Sequence, residues 1–241
     1  TGKADMNGAV TADVIDFSGM TARTGTTAGD TVNMQAAAVA PGALTTNTLT
    51  LTGSPGSDVL VGDANNPNVI TTSAGTNTIT GGSAADTING GSGADTIDGA
   101  DGNDTINGND GADGITGGSG NDTINGGAGN DTINSENGTD SVDGGAGDDT
   151  VTISADANLD NTDTYAGGDG TDTLVFTAAI ADDAATFSKF SGFETFSFVG
   201  AAGNITDTFT MSNFTNNDFT TIHAGANGTG TLTWNNAPAS V

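Results

Sequence analysis

The chain has 241 residues, 34% of them hydrophobic and 5% aromatic, with 39 glycines and no cysteine, so disulfides and thiolate metal sites are excluded. Three basic residues face 30 acidic ones, for a formal charge of −27. That leaves no basic stripe for nucleic acid, opposes anionic membrane surfaces, and accompanies a sequence with no apolar run near the ~20 residues of a spanning helix.

Low hydrophobicity with high net charge is ordinarily the signature of disorder. Here the glycines recur at fixed offsets, which argues for an ordered chain with a further source of cohesion, bound metal being the obvious one. Only Glu136 and Glu194 are glutamates; every other acid is aspartate. Short acidic side chains suit hard oxygen ligation in tight turns. The opening TGKADMNGAV lacks a basic segment followed by an apolar one, so no signal peptide is visible. With no initial Met, the chain is read as a piece of a larger one.

In chain order, residues 1–52 are rich in Thr and Ala, with short apolar stretches at 10–17, 32–34 and 44–52. TLTLTG (48–53) alternates as a half-buried strand does, after a turn at Pro41 and Gly42. QAAAVA (35–40) reads as a short helical turn at most. This segment is expected to be a β-rich N-terminal cap. From Gly53 a nine-residue pattern begins imperfectly. GSPGSDVLV (53–61) carries Gly56, Asp58 and Leu60. Gly62 reads as one extra residue, and DANNPNVIT and TSAGTNTIT then place Asn68 and Asn77 where Asp belongs. An amide brings no charge, so weak or empty metal sites and a mainly apolar stack are expected there.

From Gly81 to Thr152 eight blocks run in one frame: GGSAADTIN, GGSGADTID, GADGNDTIN, GNDGADGIT, GGSGNDTIN, GGAGNDTIN, SENGTDSVD and GGAGDDTVT. Each has Asp sixth and Ile or Val eighth, and all but the first have Gly fourth. So short a fixed period means a solenoid. ISADANLDNTDTYA (153–166) reads as an insertion rejoining the pattern at Asp163, Thr164 and Tyr165, before a last repeat, GGDGTDTLV (167–175). Nine of the ten phenylalanines then lie between Phe176 and Phe219. ETFSFVG, DTFTMSNF and GTLTW alternate as strands do, so residues 176–241 are expected to form a Phe-rich β-strand C-terminal domain with its own core.

The nonapeptide G-G-x-G-x-D-x-U-x, U being large and apolar, resembles the repeat of the RTX (haemolysin-type calcium-binding) family. The resemblance covers residues 53–175 and implies an all-β, right-handed parallel β-roll flanked by β-rich segments. Within GGAGNDTIN (126–134), glycines permit a tight turn, and Thr132–Asn134 form a short strand with Ile133 inward. Two blocks make one coil. The resemblance implies that each sixth-position Asp binds calcium together with the turn stacked on it, backbone carbonyls completing the shell.

Those metal residues are Asp86, Asp104, Asp122 and Asp140 on one flank and Asp95, Asp113, Asp131 and Asp149 on the other. Asp163, Asp172 and Asp58 add to them. The implied carbonyls are those of Gly81, Ser83, Gly90, Ser92, Gly99, Asp101, Gly108, Asp110, Gly117, Ser119, Gly126 and Ala128. About six or more calcium ions are expected; a carbonyl-rich cage suits magnesium poorly. Ala100, Asn109 and Glu136 break the double glycine, and Asn tolerates left-handed backbone better than Ala or Glu. The site near Ser135 is expected to be the poorest. The alternative for these Asp and Asn residues is local turn capping, which eight in-frame copies disfavour.

Catalytic groups are scarce. A single histidine, His223, rules out H-E-x-x-H and reads as a strand residue, and there is no G-x-S-x-G, EF-hand or P-loop pattern. The expectation is therefore no enzyme, but an extracellular structural protein that folds on binding calcium. Parts of the flanks, including SKFSGFETFSFVGAAG (188–203), resemble RTX-type bacterial surface-layer proteins. This implies secretion without a cleaved N-terminal signal, and partners among copies of the chain, cell-surface proteins or polysaccharide. The alternatives are an RTX module detached from a secreted enzyme or toxin and, on the rows of outward Thr123, Asn125, Thr132 and Asn134, an ice-binding face.

Overall fold

The computed structural model describes residues 14–16, 31–33, 48–154, 163–177, 190–198 and 221–224, and every regular element in them is a β-strand. Three strands precede the repeats: β1 (Val14–Asp16), β2 (Thr31–Asn33) and β3 (Leu49–Thr52). The imperfect blocks hold β4 (Val59–Val61), β5 (Asn68–Thr71) and β6 (Thr78–Gly82). The regular blocks hold β7 (Thr87–Ser92), β8 (Thr96–Ala100), β9 (Thr105–Asp110) and β10 (Gly114–Ser119). They continue with β11 (Thr123–Ala128), β12 (Thr132–Asn137), β13 (Ser141–Ala146) and β14 (Thr150–Ile153). After the insertion come β15 (Thr164–Asp169), β16 (Thr173–Phe176), β17 (Phe190–Ser191), β18 (Thr195–Phe198) and β19 (Thr221–Ala224).

Successive strands alternate between two parallel sheets. The odd strands β1 to β17 form one sheet in chain order, and the even strands β2 to β18, closed by β19, form the other. A period of nine with two strands per coil sets each residue over the one eighteen further on. Ile106 pairs with Ile124, and Ile124 with Val142. This is a β-solenoid. Strands from both flanks share its sheets: β1 pairs with β3, and β18 with β16.

The inward columns follow from the pleat, which sends alternate side chains to opposite faces. One column runs Leu51, Ile70, Ile88, Ile106, Ile124, Val142, Tyr165 and Phe190; the other runs Leu60, Ile79, Ile97, Ile115, Ile133, Val151, Leu174 and Phe196, all buried in one core. Aliphatic residues give way to rings toward the C-terminal end, where Tyr165 and Phe190 lie 5.5 Å apart and Phe176 and Phe196 6.2 Å apart.

Two expectations need correction. The strand of block 126–134 is not three residues long: β12 continues through Asn137, because the start of each block stays in register with the coil above. Those strands bend at their second-position residue, where Gly118, Gly127 and Gly145 have positive φ. Gly62 is not the extra residue. Its amide bonds to Thr80 as that of Gly53 bonds to Thr71, so Gly62 occupies the first place of its block. The additional residue is absorbed after it, where Asp63 Oδ1 accepts the amides of Asn65 and Asn66 at 2.8 and 3.0 Å in a local side-chain turn. The strand expectations for 48–53, Thr195–Phe198 and His223 correspond to β3, β18 and β19. Those for QAAAVA, DTFTMSNF and GTLTW, and the middle of the insertion, lie outside the described residues.

Candidate metal centre

The blocks place their sixth residue just before each strand, and the coil-to-coil register stacks these residues into two columns. The first runs Asn68, Asp86, Asp104, Asp122, Asp140 and Asp163. Each backbone N–H donates to Oδ1 of the next member: Asp86 to Asp104 at 2.8 Å, Asp104 to Asp122 at 2.9 Å, Asp122 to Asp140 at 2.9 Å, and Asp140 to Asp163 at 2.7 Å. The second runs Asp58, Asn77, Asp95, Asp113, Asp131, Asp149 and Asp172. Asp95 donates to Asp113 at 2.7 Å, Asp113 to Asp131 at 2.8 Å, and Asp149 to Asp172 at 2.8 Å. The insertion therefore leaves both columns in register, with an offset of 23 in place of 18. All of these side chains are buried.

Oδ1 is thus consumed by the ladder. Oδ2 is not: in Asp86, Asp95, Asp104, Asp113, Asp122, Asp131, Asp149 and Asp172 it is buried and meets no hydrogen-bond donor. An orphaned buried carboxylate oxygen is costly, so it calls for a partner. What lies beside it is another acceptor. A methyl group built on Gly99 would lie 2.5 Å from both Asp104 Oδ2 and the carbonyl oxygen of Gly117. On Gly90 it would lie 2.8 Å from both Asp95 Oδ2 and the Gly108 carbonyl, and on Gly117 it would meet Asp122 Oδ2 and the Ser135 carbonyl at 2.6 and 2.8 Å. The same convergence recurs at Gly81, Gly108, Gly126, Gly144 and Gly167, with the carbonyls of Gly99, Gly126, Gly144, Gly167 and Gly192 respectively. A first-position glycine leaves each of these oxygen pairs uncovered by a Cβ.

Electrostatics points the same way. Burial, followed by the neighbouring acids, pushes Asp104 and Asp122 up to about 7. Burial likewise pushes Asp95, Asp131 and Asp172 up to about 6, and raises Asp86, Asp113 and Asp149. Bonds from the preceding coil's amides act against this but do not overcome it.

A hard cation fits this donor set: oxygens only, anionic and screened from water. Among the described residues no three acidic or imidazole side chains converge, so backbone carbonyls must supply much of any cage. The sixth-position aspartates and the first-position carbonyls of the overlying coil are the residues that would hold the ion. The third-position carbonyls of Asp110, Ser119 and Ala128 accept the amides of Gly93, Gly102 and Gly111 at 2.7 Å. Ser83, Ser92 and Asp101 occupy the equivalent places beside the turns, where Ser92 and Asp101 bridge to Ala74 and Ser119. Gly81 and Gly90 direct their carbonyls to the coil below, beside Gly62 and Thr72. Ala100, Asn109 and Glu136 all adopt left-handed backbone, with φ of 75°, 74° and 68°, so the coil geometry overrides residue preference. At Ser135 a side chain replaces the glycine hydrogen, and its Oγ lies 3.2 Å from the Tyr165 hydroxyl. Asp58 accepts Ser54 Oγ at 2.9 Å and donates its amide to Asn77 Oδ1.

Sequence reasoning missed the carbonyls of Ser135, Gly144, Gly167 and Gly192, and it missed Glu194. Glu194 Oε2 accepts the amide of Asp172 at 2.7 Å, prolonging the second column by one rung. The signal was present in Glu194-Thr195-Phe196, an echo of the D-T-I of the repeats.

Two parallel sheets joined by turns that stack buried aspartates against backbone carbonyls define a metal-binding repeat solenoid. The family model described as RTX calcium-binding nonapeptide repeat (4 copies) matches residues 50–66, 65–97, 80–115, 90–124 and 116–151. Residues 50–151 therefore carry RTX nonapeptide repeats, a repeat that binds calcium. Neither a curated protein nor a solved structure shows a significant match to the chain.

Proposed function

We propose that the chain is an extracellular structural protein whose roll folds on binding calcium and whose flanks direct its assembly at the bacterial cell surface. The observation that carries this reading is the repeated convergence of a buried, unbonded aspartate oxygen with a carbonyl of the next coil, in eight places. Without positive charge, stacked acids repel and the two apolar residues of each coil offset little chain entropy. Bound calcium supplies that charge in a cage of oxygen ligands. The chain's own residues hold Oδ1 in the amide ladder, aim Oδ2 at the next coil, and exclude water with the Ile columns. Because ion binding then supplies folding energy, the chain is loose where calcium is scarce and ordered at the ~10⁻⁴–10⁻³ M typical of extracellular modules.

A structural role in place of a catalytic one is supported by the sequence inventory, with one histidine and no nucleophile motif. Among the described residues, no helix is long and apolar enough to cross a membrane. Electron microscopy of the full chain with and without millimolar-range calcium tests the proposal. Sheets or fibres that appear only with calcium support it. Monodisperse particles in both conditions would instead make the chain an RTX module serving some other protein.

A further inference from the structure

Each aspartate column holds an asparagine near its N-terminal end, Asn68 first in one and Asn77 next after Asp58 in the other, and there the pattern of donors reverses. Asn77 Oδ1 accepts the amide of Asp58 at 2.9 Å, which is the ladder role of Oδ1 in every aspartate above it. The other terminal atom differs. Asn77 Nδ2 donates to Asp95 Oδ1 at 3.0 Å and to the Gly90 carbonyl at 3.3 Å. Gly90 O is the carbonyl that faces position 72, the counterpart of the carbonyls left beside an aspartate Oδ2 elsewhere, and Thr72 Oγ1 donates to it as well.

Asn68 repeats the arrangement on the other column. Its Oδ1 accepts the Asp63 amide at 2.8 Å, while Nδ2 donates to Asp86 Oδ1 at 2.8 Å and to the Asp63 carbonyl at 3.1 Å. A methyl group on Gly62 would meet Asn68 Nδ2 and the Gly81 carbonyl, both at 2.7 Å, so the amide nitrogen stands where Oδ2 stands in the acidic blocks. Turning either amide over would set its oxygen against an aspartate oxygen and remove a donor from a buried acceptor, which fixes the orientation.

From this geometry we infer that Asn68 and Asn77 are built-in substitutes for a cation, supplying amide hydrogens near the N-terminal end of each column so that the two coils from β3 to β6 are ordered without calcium. Those two coils then form a preformed end on which the calcium-requiring coils stack. The inference rests on the calcium reading above and goes beyond it by assigning where the requirement stops.

Amide hydrogen exchange and native mass spectrometry on the full chain test it, comparing wild type with Asn68→Asp, Asn77→Asp and Asn77→Ala. In chelator, wild-type amides of β3 to β6 should exchange roughly tenfold or more slowly than those of β7 to β14, the scale of a hydrogen bond to a charged group. Each Asp variant should lose that protection in chelator, regain it in calcium and bind one more ion than wild type. Asn77→Ala should lose protection in chelator and bind no additional ion. Equal exchange of β3 to β6 and β7 to β14 in wild-type chelated protein, or Asp variants that bind no further calcium, would overturn the inference. A wild type that binds no calcium and is protected throughout would overturn the calcium reading itself, and this inference with it.

Discussion

Each sixth-position aspartate divides its work between its two oxygens, and the division can be probed one atom at a time. Asp122 accepts the Asp104 amide through Oδ1, while its Oδ2 converges with the Ser135 carbonyl. Asp122→Asn keeps the first contact and replaces the second oxygen by a donor. We expect it to bind one calcium ion fewer than wild type without raising the calcium concentration needed for folding, because the amide takes the cation's place as in Asn68 and Asn77, read by native mass spectrometry and circular dichroism titration. The pH response follows from the raised carboxyls. Between the ordinary value of 3.8 and the values of about 6 to about 7, the folded metal-free chain holds protons that the unfolded chain has lost. Stability without metal therefore falls as pH rises through that window. In chelator, the β-sheet signal should be stronger at pH 5 than at pH 8. In saturating calcium the order reverses, because protons compete for the ligating carboxylates. The same order in both media would contradict the assignment of these acids as ligands. Left-handed Ala100 supplies a third test: Ala100→Gly should stabilise the calcium-bound chain by roughly 0.5–1 kcal/mol in urea unfolding, as relief of the left-handed strain exceeds the added chain entropy.

At the scale of the strand, cohesion comes from pairs of inward residues at a fixed spacing. Ile124 sits between Ile106 and Val142 in its column, and all three are buried. Ile124→Ala leaves a cavity that rigid neighbouring coils cannot close. We expect a loss of about 2–5 kcal/mol in calcium-saturated denaturant unfolding, with calcium stoichiometry unchanged. The metal columns and the apolar columns are thus separable in experiment. The insertion after Ile153 shows how tolerant such a stack is. Five extra residues leave the Asp140–Asp163 and Asp149–Asp172 contacts in place, because the chain leaves and re-enters at the same coil position.

For the molecule as a whole, chelation is the decisive perturbation. Removing calcium should abolish most of the β-sheet signal of the full chain at neutral pH, and restoring it should bring the signal back, followed by far-UV circular dichroism. A signal unchanged by chelator would refute calcium-dependent folding. The solenoid, the two aspartate columns and their pairing at every second block were legible in the sequence, since a nine-residue period with one acid and one large apolar residue leaves little choice of fold. Gly62, Asn68 and Asn77 were only half legible. Their departure from the repeat was visible, but whether an amide oxygen or an amide nitrogen faces the next coil depends on which carbonyls surround it. The same holds for Glu194 and Ser135, whose places follow from coils closing around them. Sequence by itself determined the repeat and its charge, because those are properties of residue type and spacing. Only the tertiary structure decided which oxygens remain without a donor, because that depends on contacts between residues eighteen or more apart.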